Sequence, residues 1–105
     1  MNQYQNCIEA CLQCAVACAQ CATACTKEED IQKMAGCIRL DMECEAICRA
    51  AAEMMSHDSA RSKEICKICA DVCNECGNEC AHHQMDHCQK CAEACRKCAE
   101  ACLAM

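Results

Sequence analysis

Small apolar positions recur every three or four residues along CIEACLQCAVACAQCATAC, residues 7–25, and cysteine holds each place on that repeat. Cys7, Cys11, Cys14, Cys18, Cys21 and Cys25 therefore form the inward stripe of an amphipathic helix, where leucine normally stands. The spacing returns in three further groups: Cys37, Cys44 and Cys48; then Cys66, Cys69, Cys73, Cys76 and Cys80; then Cys88, Cys91, Cys95, Cys98 and Cys102. In the first, third and fourth groups every step is 3 or 4, the a/d seam of a bundle helix. The pattern predicts four helices of about 20 to 29 residues, each roughly 30 to 40 Å long. Short connections make neighbouring helices antiparallel. The expected fold is all-α, an antiparallel up-down-up-down four-helix bundle with cysteines lining its core, built by residues 1–105 as one domain.

Signals between the groups mark where helices begin. Asn2 with Gln5, Thr26 with Glu29 and Asp86 with Gln89 read as N-terminal capping pairs, and Ser56 to Ser59 as the break before the third helix. Proline is absent, and the only glycines are Gly36 and Gly77. With Cys11 and Cys18 at a, the flanks of helix 1 are Ile8, Ala10, Ala15, Ala17, Ala22 and Ala24, and those of helix 4 are Ala92, Ala94, Ala99 and Ala101. Such small flanks let helices approach closely and bring sulfurs from facing helices into one column. Helices 2 and 3 carry Leu40, Ile47, Met54, Ile65 and Val72 at the corresponding places, which assigns these residues to conventional packing between them.

Composition makes the sulfur more conspicuous. Leucine, isoleucine and valine together number 11 and the single aromatic is Tyr4, so the filling of the core falls to 19 cysteines and 19 alanines. A net charge of −6 argues against nucleic acid, and no basic membrane-binding patch is evident. The N-terminal MNQYQNCIEACLQC has no basic n-region, continuous apolar h-region or twin arginine, and no stretch reads as a membrane span. A cytoplasmic location is therefore expected, with reduced thiols rather than a disulfide framework; the odd number of cysteines agrees.

Alanine or valine would pack as well as cysteine without its oxidation hazard, so three unbroken seams of thiols imply bound metal. Thiolates select soft ions. Six CxxC pairs suggest zinc, but all lie within helices and interleave with eight CxxxC pairs, so no four cysteines stand apart as a closed site. Four tetrathiolate zincs would also leave the core with a charge of about −8. One Cu(I) per thiolate sums to zero, and residues at i,i+4 lie about 5 to 6 Å apart at Cβ, close enough for one ion to span a CxxxC pair. Iron-sulfur motifs of the CxxCxxC kind are missing. No strand is evident to seat a thioredoxin-type CxxC, and no catalytic grouping suggests an enzyme.

A chain of this length with such pairs facing inward on four helices resembles the cytosolic bacterial copper storage proteins. The resemblance runs over the whole chain and is carried by CIEACLQCAVACAQCATAC, CIRLDMECEAIC, CKICADVCNECGNEC and CQKCAEACRKCAEAC. It implies tetramers of four-helix bundles that hold many Cu(I) ions in each subunit, with all nineteen cysteines as ligands. Copper ions and a copper chaperone or small-molecule copper donor are the expected partners. The competing reading is a zinc or other soft-metal protein with a structural or sensing role. It differs in capacity: a store takes up about one Cu(I) per cysteine without changing fold, whereas a sensor saturates at a few ions.

Three further features stand out. On the repeat of helix 2, Asp41 occupies the place of a cysteine, either rotated into solvent or facing the metal as an oxygen ligand or hydrogen-bond acceptor. In CAHHQMDHC, His82, His83 and His87 gather with Met85 at one bundle end, near Cys25 and Met34, and form the expected mouth for copper. Tyr4, Met54, Met55, His57 and Met105 mark the opposite end, and Leu12 and Val16 lie on the outer face of helix 1, as a contact for another subunit would.

Overall fold

A computed structural model describes residues 2–105 and consists of four long α-helices. They are α1 (Gln5–Cys25), α2 (Ala35–Ser56), α3 (Ser62–Ala81) and α4 (Asp86–Leu103), with a short 3-10 helix at Ile31–Met34 before α2. Each helix packs on its chain neighbour, and α1 closes the bundle against α4. The molecule measures 45 × 19 × 18 Å, about the length of a 20-residue helix plus its end turns. The antiparallel up-down-up-down arrangement is as expected, and no strand occurs among the described residues.

The helix starts differ from the expected capping pairs. Thr26 closes α1 instead of opening α2: its hydroxyl donates to the Thr23 carbonyl at 2.6 Å and its N–H bonds back into the last turn. Asp30 accepts from the Lys33 N–H and starts the 3-10 helix, so α2 begins only at Ala35 and runs for 22 residues. At α4 the cap is extended Met85, and Gln89 Nε2 donates to the carbonyls of Ala81 and His83, stitching α4 to the end of α3. Asn2 does organise the first helix, accepting the Tyr4 N–H at 2.7 Å, but Gln5 reaches forward to Glu9. A polar side chain in a turn takes whichever backbone group the tertiary fold leaves unpaired, and local spacing does not reveal which that is.

Side-chain size sets how near the helices come. A Cβ on Gly77 would lie 3.2 Å from Cys95 Cβ, so glycine permits the close approach of α3 to α4. Ile8, Ala15 and Ala99 are buried, and Leu40, Ile47, Ile65 and Val72 are half-buried against the core, as their positions predicted. α1 is in fact long and apolar enough by composition to cross a membrane, contrary to the sequence expectation, because cysteine and alanine both count as apolar. Its cysteines all face the other three helices.

Candidate metal column

All nineteen cysteines are buried free thiols, none more than 4% exposed. The antiparallel helices set them in register along the bundle axis. In the middle, Cys14 Sγ lies 3.8 Å from Cys44 and 3.7 Å from Cys95. Cys44 reaches Cys73 at 3.6 Å, and Cys48 lies 3.7 Å from Cys69 and 3.8 Å from Cys98. Towards one end Cys98 meets Cys11 at 3.6 Å and Cys102 meets Cys7 at 3.5 Å. Towards the other, Cys91 meets Cys18 at 3.7 Å and Cys37 meets Cys80 at 3.2 Å. Thiols from all four helices thus make one continuous column.

Metal-sulfur bonds of about 2.3 Å place sulfurs about 3.8 Å apart in a tetrahedron and about 4.0 Å apart around a three-coordinate ion. Distance alone therefore accepts either geometry. Connectivity separates them. Cys14 and Cys44 group with Cys48 and Cys73, and equally with Cys18 and Cys95; Cys18 and Cys95 group in turn with Cys76 and Cys91. These three central groups share two sulfurs in succession, which suits thiolates that bridge from ion to ion, and a further four-thiol group stands at Cys11, Cys69, Cys98 and Cys102. Charge points the same way, since univalent ions neutralise the thiolates one for one in a core with no room for counter-ions.

Asp41 faces this column and is fully buried. Its Oδ1 accepts from the thiols of Cys76, Cys91 and Cys80 at 3.2, 3.2 and 3.4 Å, and Oδ2 lies 3.8 Å from Cys37. Burial, with the neighbouring Cys91 thiol adding to it, pushes the carboxyl up to about 10. The acid is neutral at pH 7 in the copper-free protein, and its carbonyl oxygen is the acceptor shared by three thiols.

The three histidines are not equivalent. His87 Nδ1 lies 3.5 Å from both Cys21 and Cys88 and 3.9 Å from Cys25, so the ring completes a ligand group with these thiols. Its Nε2 lies 2.9 Å from Glu28 Oε2, in the turn after α1. That contact holds the proton on Nε2 and leaves the Nδ1 lone pair facing the sulfurs. His83 turns instead to Glu79, 2.9 Å away, and His82 is exposed. Glu28 was missed in the sequence because it sits in the acidic run KEED, which reads as a solvated turn. Met34 is buried at the same end, whereas Met55 is buried at the other, beside Cys66.

The copper storage protein family matches residues 1–105, the whole chain. The chain belongs to that family. A Cu(I)-bound copper storage protein, BsCsp3, is 52% identical, with 98% of each chain covered and a TM-score of 0.94. A cytosolic copper storage protein from Streptomyces lividans, solved with five coppers, is 42% identical over 96% of this chain and 89% of that one, with a TM-score of 0.93. An uncharacterised cysteine-rich protein of Bacillus subtilis, YhjQ, is 52% identical over 90% of this chain and 88% of its own length. Copper storage family membership thus accounts for sulfur where a bundle would ordinarily hold leucine.

Proposed function

We propose that this chain stores and sequesters Cu(I) in the cytosol, as one domain that takes up about one ion per cysteine and catalyses no reaction. The observation that carries this reading is the column itself: nineteen buried thiols, with sulfurs 3.2 to 4.0 Å apart at the recorded contacts and shared between neighbouring groups. Such a column offers many more places for a soft univalent ion than a few ions would fill. The Cu(I)-bound and cytosolic relatives support the choice of ion and compartment. All nineteen cysteines act as ligands, and Asp41 adds an oxygen beside Cys76, Cys80 and Cys91.

Copper enters at the end marked by His82, His83 and His87. His87 spans from the half-buried surface to the first thiols, and exposed His82 with half-buried His83 offers imidazoles outside it. Imidazole holds Cu(I) less strongly than thiolate, so the ion moves inward. A copper chaperone or small-molecule donor delivers it there. Subunits assemble as tetramers through outer faces carrying Leu12, Val16 and Met42, which are 44%, 48% and 61% exposed in the single chain.

Anaerobic titration of the reduced protein with Cu(I), followed by native mass spectrometry, tests the reading. Uptake close to the number of cysteines, with unchanged helical circular dichroism, is expected. Saturation at four or five ions would overturn storage.

A further inference from the structure

One thiol in the column has a different kind of partner. Every other cysteine contacts another cysteine or the Asp41 carboxyl within hydrogen-bonding range, whereas Cys66 donates to the thioether of Met55, Sγ to Sδ 3.5 Å. Both residues are completely buried. Met55 lies on the α2 stripe after Cys44, Cys48 and Ala51, near the helix end. Its carbonyl accepts from Asn2 Nδ2 at 2.8 Å, which ties the chain start to this point. The pair lies at the end opposite the histidines, where α2 ends and α3 begins.

From this juxtaposition we infer that Cys66 Sγ and Met55 Sδ form a mixed thiolate-thioether Cu(I) site at the far end of the column. The inference rests on the copper reading of the column above. Thioether and thiolate are both soft donors that select Cu(I) over harder ions. One thiolate, one thioether and one Cu(I) sum to zero charge, the condition that a site with no access to water requires. With bonds of about 2.3 Å, the two sulfurs need to stand about 4.0 Å apart for a three-coordinate ion, so the present pair opens by about half an ångström. The unbranched methionine side chain accommodates such a shift. Cys7 and Cys102, 3.5 Å apart at the same end of the bundle, are the candidate third sulfurs, bridging to the next ion so that their charge is balanced there. A leucine at position 55 would fill the same space, but it would leave Cys66 without its soft partner.

The two ends of the store therefore differ in kind. At one, a half-buried imidazole links thiols to the surface. At the other, the added donor is a fully buried thioether.

Crystals of the fully Cu(I)-loaded chain, grown without oxygen and measured on either side of the copper absorption edge, decide the point. A copper peak within bonding distance of both Cys66 Sγ and Met55 Sδ is expected. In Met55→Leu, which removes sulfur while keeping the hydrocarbon bulk, that one position is lost and the rest of the column stays filled. Copper peaks along the column with none bonded to Met55 Sδ in the wild-type chain overturn the mixed site and leave storage standing. The absence of a column of copper peaks overturns the storage reading and this site with it. The wild-type crystal alone distinguishes these outcomes if the leucine variant does not fold.

Discussion

Cys91 Sγ lies 3.2 Å from Asp41 Oδ1, deep in a core otherwise lined by sulfur. The pair joins α4 to α2 across the bundle and makes a carboxyl part of the thiol network.

A pH dependence follows for the copper-free protein. Folding raises the Asp41 carboxyl from 3.8 to about 10, chiefly through burial. The unfolded chain gives up this proton near pH 4 and the folded chain keeps it, so this contribution to stability is complete below the unfolded value and is lost progressively as pH rises towards 10. The expected slope is about 1.4 kcal/mol per pH unit within that window. Urea unfolding of reduced apo-protein and Asp41→Asn at pH 5 and pH 7 reads the difference: the wild type loses stability between the two relative to the variant. Parallel curves for the two proteins would place the carboxyl in an ionised, solvated state.

Loading releases protons. Burial pushes the Cys66 thiol up to about 12 and Cys88 up to about 11, so both enter the reaction protonated at neutral pH. Cu(I) bound at such a thiol displaces its proton, so proton release should accompany uptake in weakly buffered anaerobic solution. A pH indicator measures it during titration. Uptake without proton release would mean that the thiols were already ionised.

The Glu28 carboxylate should control how His87 acts. Glu28→Gln removes the charge that fixes the Nε2–H tautomer, and outer-shell changes of this type weaken metal binding about 10- to 100-fold. Early Cu(I) uptake in stopped-flow should slow, total capacity should stay the same, and the nitrogen NMR shifts of His87 should show a mixed tautomer. His87→Ala should slow uptake at least as much as His82→Ala with His83→Ala, because only His87 reaches the thiols. Wild-type rates in all of these variants would move copper entry away from this end.

Assembly depends on the outer apolar face. Leu12→Glu with Val16→Glu puts two charges where the single chain exposes apolar surface, and sedimentation should show a shift towards monomer with helical circular dichroism retained. An unchanged mass would assign the subunit contacts to another face.

The periodicity of cysteine determined most of the fold. A repeat of 3 and 4 over four segments selects helices and says which face turns inward, and a core of small side chains requires close packing. The ion class was legible as well, because interleaved CxxC and CxxxC pairs leave no closed four-cysteine site. What lay beyond the pattern concerns neighbours on other helices. Asp41 stood on the inward stripe, yet whether it reached solvent depended on the thiols of α3 and α4 that surround it. The repeat pointed to His83 as the next position beyond Cys80, but only the meeting of the α1 turn with the start of α4 set Glu28 against His87 and turned that ring to the thiols. Thr26 closed a helix instead of opening one because its hydroxyl found the Thr23 carbonyl. Met55 looked like one more methionine until the bundle placed Cys66 beside it. Helical spacing specifies angle about one axis; the axial offset and rotation of four packed helices decide which atoms touch, and those depend on the whole core at once.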